Sequence, residues 1–557
     1  MIFVSRSLLI LLISLLVLNL QSCKSPSTDR AEGNPPAGSA LGAEEVEQLL
    51  VAGREALAEA RLDDAMRALA KGLGAAPNDV RFNFEIGACY LAMGELFVAE
   101  PDLGGDPGAA FHDSETYLRK ALELDPLHDE AEFLLAGALF ANNRLAAARA
   151  SIGAYVDRFR RKAAARLLAG RIFLASHIAG ASEPAESAPA GDYIEEAIGH
   201  LSHAIELAPT DAAGHLYLGD CLLHGGDVES ALSVYQKGIV RCMENSELHQ
   251  RLVTCFGGSD LFSPADGVEF YDALLTVKNL APAAKGTLCW FQGVWYDALG
   301  RAEYEDESYD SAAKAYALCA ECYNRCGRIH PPFAPEALYE EAQAFSNVGW
   351  AHYYGGEFDG AEKNFFKALA LRQDLTNAIL GIDYLGAALT GRDGLVEGRN
   401  FFRRAATGHP WNSKWWNNYA LFARETGQNE QAYTAYVKAM TLAPDDTRYI
   451  NDCGMMLLYY LDRQPDEAEK LFRNAWKTGE ARCADPFISE EDHKYHFDAY
   501  CDAMLNLGRL LLIQNRIEES APIVESLAQK APQRPDVREL LEGLERTRRG
   551  ISYELPE

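Results

Sequence analysis

One interval constrains this chain more than any single residue does. A small residue is followed twelve positions later by a second small one, then by a large apolar one after four, a small one after three, and often Pro after five. Gly53, Ala65, Leu69, Gly72 and Pro77 set it out. Ala420, Ala432, Tyr436, Ala439 and Pro444 repeat it, and Gly386, Gly398, Phe402, Ala405 and Pro410 make a third copy, so that Pro410 and Pro444 lie 34 residues apart. The last three apolar positions of each set share one face of a helix, and Pro cannot continue that helix. A recurrence on this scale means that one supersecondary unit is stacked on itself.

A period of 34 residues, with small residues where two helices cross and Pro closing the second, resembles the tetratricopeptide repeat, in which each unit is a pair of antiparallel helices. The fold class this implies is all-α: an α-solenoid of about eleven or twelve helix pairs over the 557 residues. A solenoid grows by adding units, so this length needs no division into globular domains. With 48% hydrophobic and 24% charged residues the chain is far from disorder. Its net charge of −29 argues against nucleic acid, whose binding is built from clustered Lys and Arg, and suits solubility or basic partners.

The first residues read as an address. Arg6 precedes an apolar run from Leu8 to Leu18, about half of the ~20 residues a spanning helix needs. Leu20, Ser22 and Cys23 resemble the lipobox of bacterial lipoproteins, although Gln21 departs from the small residue usual there. The resemblance implies that residues 1–22 are a lipoprotein signal peptide and that Cys23 is acylated; a plain secretory signal is the alternative. Residues 23–43, rich in Ser, Pro, Gly and Ala, then read as a flexible tether. The location implied is the bacterial cell envelope, lipid-anchored on the periplasmic side of the outer membrane.

Along the rest of the chain the spacing places an N-terminal array over 44–258, a degenerate repeat or break over 259–282, a C-terminal array over 283–545 and a tail over 546–557. Gly87 and Gly170 are each followed some fifteen residues late, by Ser114, Leu118 and Ala121 and by Ala197, Leu201 and Ala204. The delays predict inter-helix loops over Glu95–Phe111 and Ala179–Gly191, both containing Pro. Gly257, Gly258 and Pro264 suggest the break between two halves. Gly293 paired with Ala312, Tyr316 and Cys319 implies a long acidic insert around Glu303–Glu307. Gly349, Gly454 and Gly508 open further units, and Glu539–Arg549 reads as a polar cap.

The small residues are packing positions, so function is sought on the face of the first helices. By helical phase that face carries Asn347, Trp350 and Tyr353 in one unit, Lys414, Asn418 and Arg424 in another, and Asn451 in a third. Lys414 and Asn418 resemble part of the carboxylate-holding groups of some tetratricopeptide domains, but the full basic clamp is missing. Trp290, Trp350 and Trp415 read as inter-repeat core, with an exposed aromatic anchor as the other reading. Cys319, Cys322 and Cys326 with His330 could suggest a metal, yet on an unbroken helix Cys319 and Cys326 are ~10 Å apart along the axis. His493 and His496 fit a surface loop. The chain lacks a Gly-x-x-x-x-Gly-Lys loop, a His-Glu-x-x-His and a Gly-x-Ser-x-Gly.

Two functions therefore stand. The favoured one is a membrane-tethered scaffold that binds proteins or peptides and assists assembly of an envelope complex, with no reaction, cofactor or metal of its own. The rival is an enzyme or metal-binding protein using the Cys319 to His330 segment.

Overall fold

A computed structural model describes residues 42–181, 193–256 and 261–555. The leader and Cys23 lie outside these residues, as does all but the end of the tether. Among the described residues there are 25 α-helices and no strand. By their contacts they fall into two units, residues 1–295 and 296–557.

The first unit holds α1 (Ala43–Ala58), α2 (Leu62–Ala75), α3 (Val80–Ala99), α4 (Pro107–Leu124), α5 (Asp129–Ala141), α6 (Leu145–Arg158), α7 (Ala163–Ala181), α8 (Tyr193–Leu207), α9 (Ala212–His224), α10 (Val228–Arg241), α11 (Ser246–Phe256), α12 (Pro264–Leu275) and the start of α13 (Pro282–Glu305). The second holds the rest of α13, then α14 (Tyr309–Ile329), α15 (Ala334–Tyr354), α16 (Phe358–Leu371), α17 (Thr376–Asp393), α18 (Leu395–Gly408), α19 (Ser413–Glu425), α20 (Asn429–Leu442), α21 (Thr447–Met455), α22 (Pro465–Cys483), α23 (Glu490–Ile513), α24 (Ile517–Lys530) and α25 (Pro535–Arg548). Taken in order they make twelve pairs and one final helix, an all-α array of stacked hairpins.

Local sequence sets the hairpin boundaries. Pro closes a second helix, and two residues later an Asp or Asn caps the next first helix. Asp79, Asp211, Asn412 and Asp446, which follow Pro77, Pro209, Pro410 and Pro444, each accept a backbone N–H of the first turn. Such a cap is worth about 1 kcal/mol. The small residues then let the two helices close. A Cβ on Gly53 would lie 2.4 Å from Leu69, and one on Gly219 2.3 Å from Tyr235, the large residue sixteen positions on. The same contact recurs at Gly349 with Phe365, at 2.6 Å, and at Gly386 with Phe402, at 2.3 Å.

Successive first helices also touch: α1 with α3, α3 with α5, α5 with α7, α7 with α9, and α9 with α11 in the first unit, and α15 with α17, α21 with α23, and α23 with α25 in the second. Successive second helices make no comparable contact among the described residues. Within each unit the first helices are therefore the closely spaced row.

Several expectations are corrected. The delay after Gly87 is not a long loop: α3 runs on to Ala99 and α4 begins at Pro107, leaving Glu100–Asp106 with one 3₁₀ turn, Pro101–Leu103. Pro107 starts its helix under the Asp106 cap, a position where its missing N–H costs nothing. Of the second expected loop, Ala179–Ala181 is helical and 182–191 lie outside the described residues.

No acidic insert separates α13 from α14. Gly300, not Gly293, lies against Tyr316, where its Cβ would come within 2.7 Å, and Ala312 follows Gly300 by the regular twelve residues. Glu303–Glu307 is thus the ordinary end of the first helix and its turn. Between Gly454 and Ala468 the interval is two residues longer than the regular twelve, and a π-helical turn at Met456–Tyr460 takes up the excess. The supposed tail folds back: a Cβ on Gly543 would lie 2.5 Å from the Tyr553 ring, which packs on the C-terminal core.

In the segment expected to be a degenerate repeat or break, 259–282, residues Pro264–Leu275 form α12, and the division by contacts falls later, after Trp295. Ser263 and Asp266 form a reciprocal capping box that starts α12. Gly267 then crosses Trp295, where a Cβ would sit 2.2 Å from the indole.

Beside this crossing lies a buried polar pair. His249 is fully buried, with Nδ1 2.5 Å from the Tyr271 hydroxyl, Nε2 3.0 Å from the Met243 carbonyl, and its ring stacked on Phe291 at 4.8 Å. Burial pushes this imidazole down to about 4. The unfolded imidazole, near 6.5, takes the proton more readily, so this contribution to stability is complete above about pH 6.5 and is lost as pH falls toward 4. At pH 5 it should have lost about 2 kcal/mol. Hydrogen exchange at α11 and α12 should show this loss, and His249→Gln should flatten it; an equally steep loss in the variant would refute the assignment.

Candidate functional site

The close approach of first helices in the second unit gathers a run of aromatic side chains from three consecutive hairpins. Tyr304 near the end of α13 meets Tyr309 at the start of α14, with centroids 5.5 Å apart, and Tyr354 at the end of α15, 5.7 Å away. Tyr309 and Tyr354 stack at 6.1 Å. Trp350 then contacts Tyr354 at 6.0 Å, Tyr353 at 5.7 Å and Tyr384 of α17 at 5.6 Å, and Tyr353 stacks on Phe358 at 5.8 Å. From beneath, Phe365, the residue that fills the crossing at Gly349, meets Trp350 edge-on at 5.4 Å.

The architectural contact thus supports the run from below, and its outer members face solvent. Tyr354 is 52% and Tyr384 55% exposed, while Trp350 and Tyr353 are half-buried. The Trp350 Nε1–H is buried and has no acceptor among the described residues. A donor left this way costs about 1–3 kcal/mol. Burial, reinforced by the hydroxyls of Tyr354 and Tyr309, pushes the Tyr304 phenol up to about 12, so it stays neutral at physiological pH.

Charge beside the run is one-sided. Asp297 is paired with Arg301 at 2.8 Å and Asp310 with Lys314 at 2.6 Å, but Glu303, Glu305, Asp306 and Glu307 make no ion pair among the described residues. At the opposite edge the Arg392 guanidinium lies over the Phe358 ring, 4.7 Å from its centroid.

Comparison with known proteins identifies the repeats. Models of the tetratricopeptide repeat match residues 110–160, 190–245 and 414–446. The chain carries tetratricopeptide repeats. Among solved structures it is similar to MamA (residues 41 to end) of Desulfovibrio magneticus RS-1, at 17% identity over 36% of this chain and 95% of that one, with a TM-score of 0.28. A thermophilic tetratricopeptide protein of Thermus thermophilus is 16% identical over 37% of this chain and 98% of that one, TM-score 0.26. The C-terminal part of a tetratricopeptide protein of Cytophaga hutchinsonii is 12% identical over 61% and 98%, TM-score 0.33. No curated protein matches the chain.

Of the residues expected on the first-helix face, the tetratricopeptide units bring together Asn347, Trp350 and Tyr353. Asn347 is half-buried beside the aromatic run, its Nδ2 donating to Asp297 at 3.3 Å and its Oδ1 accepting from Gln343 at 3.3 Å. The remaining four stand apart. Lys414 is committed to Asp383 at 2.7 Å, whose other oxygen accepts from Trp415 Nε1 at 3.0 Å. Asn418 is half-buried one turn further along α19. Arg424 pairs with Glu425 at 2.6 Å with its guanidinium 5.5 Å from the Tyr460 ring centroid.

Asn451 is a correction: it is buried, and its Oδ1 accepts from Asn506 of α23 at 3.0 Å, so it joins helices and lines no open surface. Trp415 is fully buried core.

The rival metal segment is an unbroken helix. Cys319, Cys322 and Cys326 are buried within α14, and burial pushes the Cys319 thiol well up, away from the thiolate a metal would bind. His330 follows the helix and meets the Phe333 ring at 4.7 Å. Among the described residues no three His, Cys, Asp or Glu side chains gather as a metal site would need. His493 and His496 lie in α23 and not in a loop; His493 stacks on Phe497 at 6.1 Å, and His496 Nδ1 is 3.0 Å from the Thr447 hydroxyl. In the first unit, a cleft of about 400 Å³ lined by Asp220, His224, Arg251 and Cys255 has its carboxylate engaged by Tyr235 at 2.7 Å and Arg251 at 3.2 Å.

Sequence reasoning missed Tyr304, Tyr309, Tyr354, Phe358 and Tyr384. The signal was present: Tyr304 and Tyr353 each stand four residues after their unit's crossing glycine. Assigning the crossing to Gly293 displaced Tyr304 from that register.

Proposed function

We propose that this chain is a lipid-anchored scaffold of the bacterial envelope, which holds other proteins or peptides along the first helices of its second unit and acts by positioning them. Tetratricopeptide repeats are protein-binding arrays, and the observation that carries the reading is the solvent-facing aromatic run from Tyr304 to Tyr384. Rigid aromatic side chains bring large contact area at small entropic cost, and such residues dominate binding energy at protein interfaces. The anchor rests on Leu20, Ser22 and Cys23 behind an apolar run too short to span a bilayer.

Two measurements on cells test the two halves. Fatty-acid labelling should mark the chain, and Cys23→Ala should lose the label and become soluble; retained label defeats the anchor. Co-purification from gently solubilised membranes should recover defined partners that Tyr354→Ala/Tyr384→Ala loses. An unchanged set of recovered proteins would refute the aromatic run as the binding surface.

A further inference from the structure

We infer that the aromatic run of α13 to α17 docks an arginine-rich segment of a partner protein. This rests on the scaffold reading and names the chemistry of its partner. Three independent features select a cation. Tyr354 and Tyr384 are each about half exposed, and the quadrupole of an accessible ring attracts a guanidinium. The protein already makes this contact at the edge of the same cluster, where Arg392 lies over Phe358 at 4.7 Å. Beside the rings stand four carboxylates, Glu303, Glu305, Asp306 and Glu307, without ion-pair partners among the described residues, in a chain of net charge −29.

An apolar helix would cover these carboxylates without compensating them, and an acidic segment would be repelled. Arginine is favoured over lysine because its planar, weakly hydrated group stacks on rings.

The test uses the full chain and fluorescein-labelled nona-arginine, followed by anisotropy at 150 mM salt, with nona-lysine as comparison. Nona-arginine should bind more tightly than nona-lysine. Tyr354→Ala/Tyr384→Ala should weaken binding at least about fivefold, since two exposed cation–ring contacts are lost. Both side chains are about half exposed and lie outside the crossings, so the far-ultraviolet spectrum should stay unchanged and the urea midpoint should fall only slightly. Glu305→Gln/Asp306→Asn/Glu307→Gln should weaken it comparably, whereas Glu195→Gln/Glu196→Gln/Glu206→Gln, exposed on α8 in the first unit, should leave it within about twofold.

Equal losses in the two charge variants would show a general attraction to an acidic chain and overturn the inference. So would full binding after loss of both tyrosines. Partners that depend on Tyr354 and Tyr384 in co-purification but lack a basic segment would overturn this inference and leave the scaffold standing, whereas partners indifferent to those tyrosines would remove both.

Discussion

Trp415→Ala is expected to destabilise the hairpins around α19 by about 3–5 kcal/mol. Trp415 is fully buried between repeats, with His409 and Trp411 rings 5.7 and 5.9 Å away. Truncation removes the apolar area of an indole and leaves a cavity that stacked helices cannot close without shifting their neighbours. It also removes the 3.0 Å hydrogen bond to Asp383, although Lys414 keeps that carboxylate paired. Trp415→Phe should therefore cost much less, since most of the volume stays and only one donor is lost. A repeat array does not unfold in one step, so hydrogen exchange resolved by helix is the suitable measurement. Protection of α17 to α20 should fall steeply in the Ala variant; protection changed by less than about 1 kcal/mol would show that Trp415 is not a core residue.

Gly267→Leu should be nearly as damaging in the first unit, at about 3 kcal/mol, the upper end for overpacking. A Cβ at this position already falls 2.2 Å from the indole of Trp295, which is itself buried and flanked edge-on by Phe256 at 5.0 Å and Phe262 at 5.4 Å. The ring has no free direction, so α12 and α13 must separate. The loss of protection should centre on α11 to α13. Gly74, which has open space around its would-be Cβ, supplies the comparison: Gly74→Ala should be neutral or slightly stabilising. Similar behaviour at the two glycines would refute close crossing as the reason for the first.

Both predictions start from positions whose type is readable in the chain, which shows where reading ends. Class, hairpin order, the caps after Pro77, Pro209, Pro410 and Pro444, and the glycines that face Leu69, Tyr235, Phe365 and Phe402 are legible because each follows from local spacing and turn chemistry. Intervals that depart from the period are less so. An added turn on each of two helices and an added loop insert the same number of residues, so α3 and α4 could not be told from a loop by counting.

Gly293 and Gly300 are both small residues seven apart on one helix, and only packing shows which of them meets Tyr316. Asn451 has the phase of a surface residue, yet α23 covers it, because two long helices there bring Asn506 within 3.0 Å.

By itself, then, the sequence determined that helices form, pair and stack, since those outcomes depend on side-chain size and backbone preference within one 34-residue unit. Which side chains remain open to a partner was decided by tertiary structure alone. Tyr304, Tyr354 and Tyr384 come from three different hairpins, and the run of contacts that joins them through Trp350 follows from how closely one first helix lies on the next. That spacing is set by the sum of all the crossings beneath it, a quantity that no single unit contains.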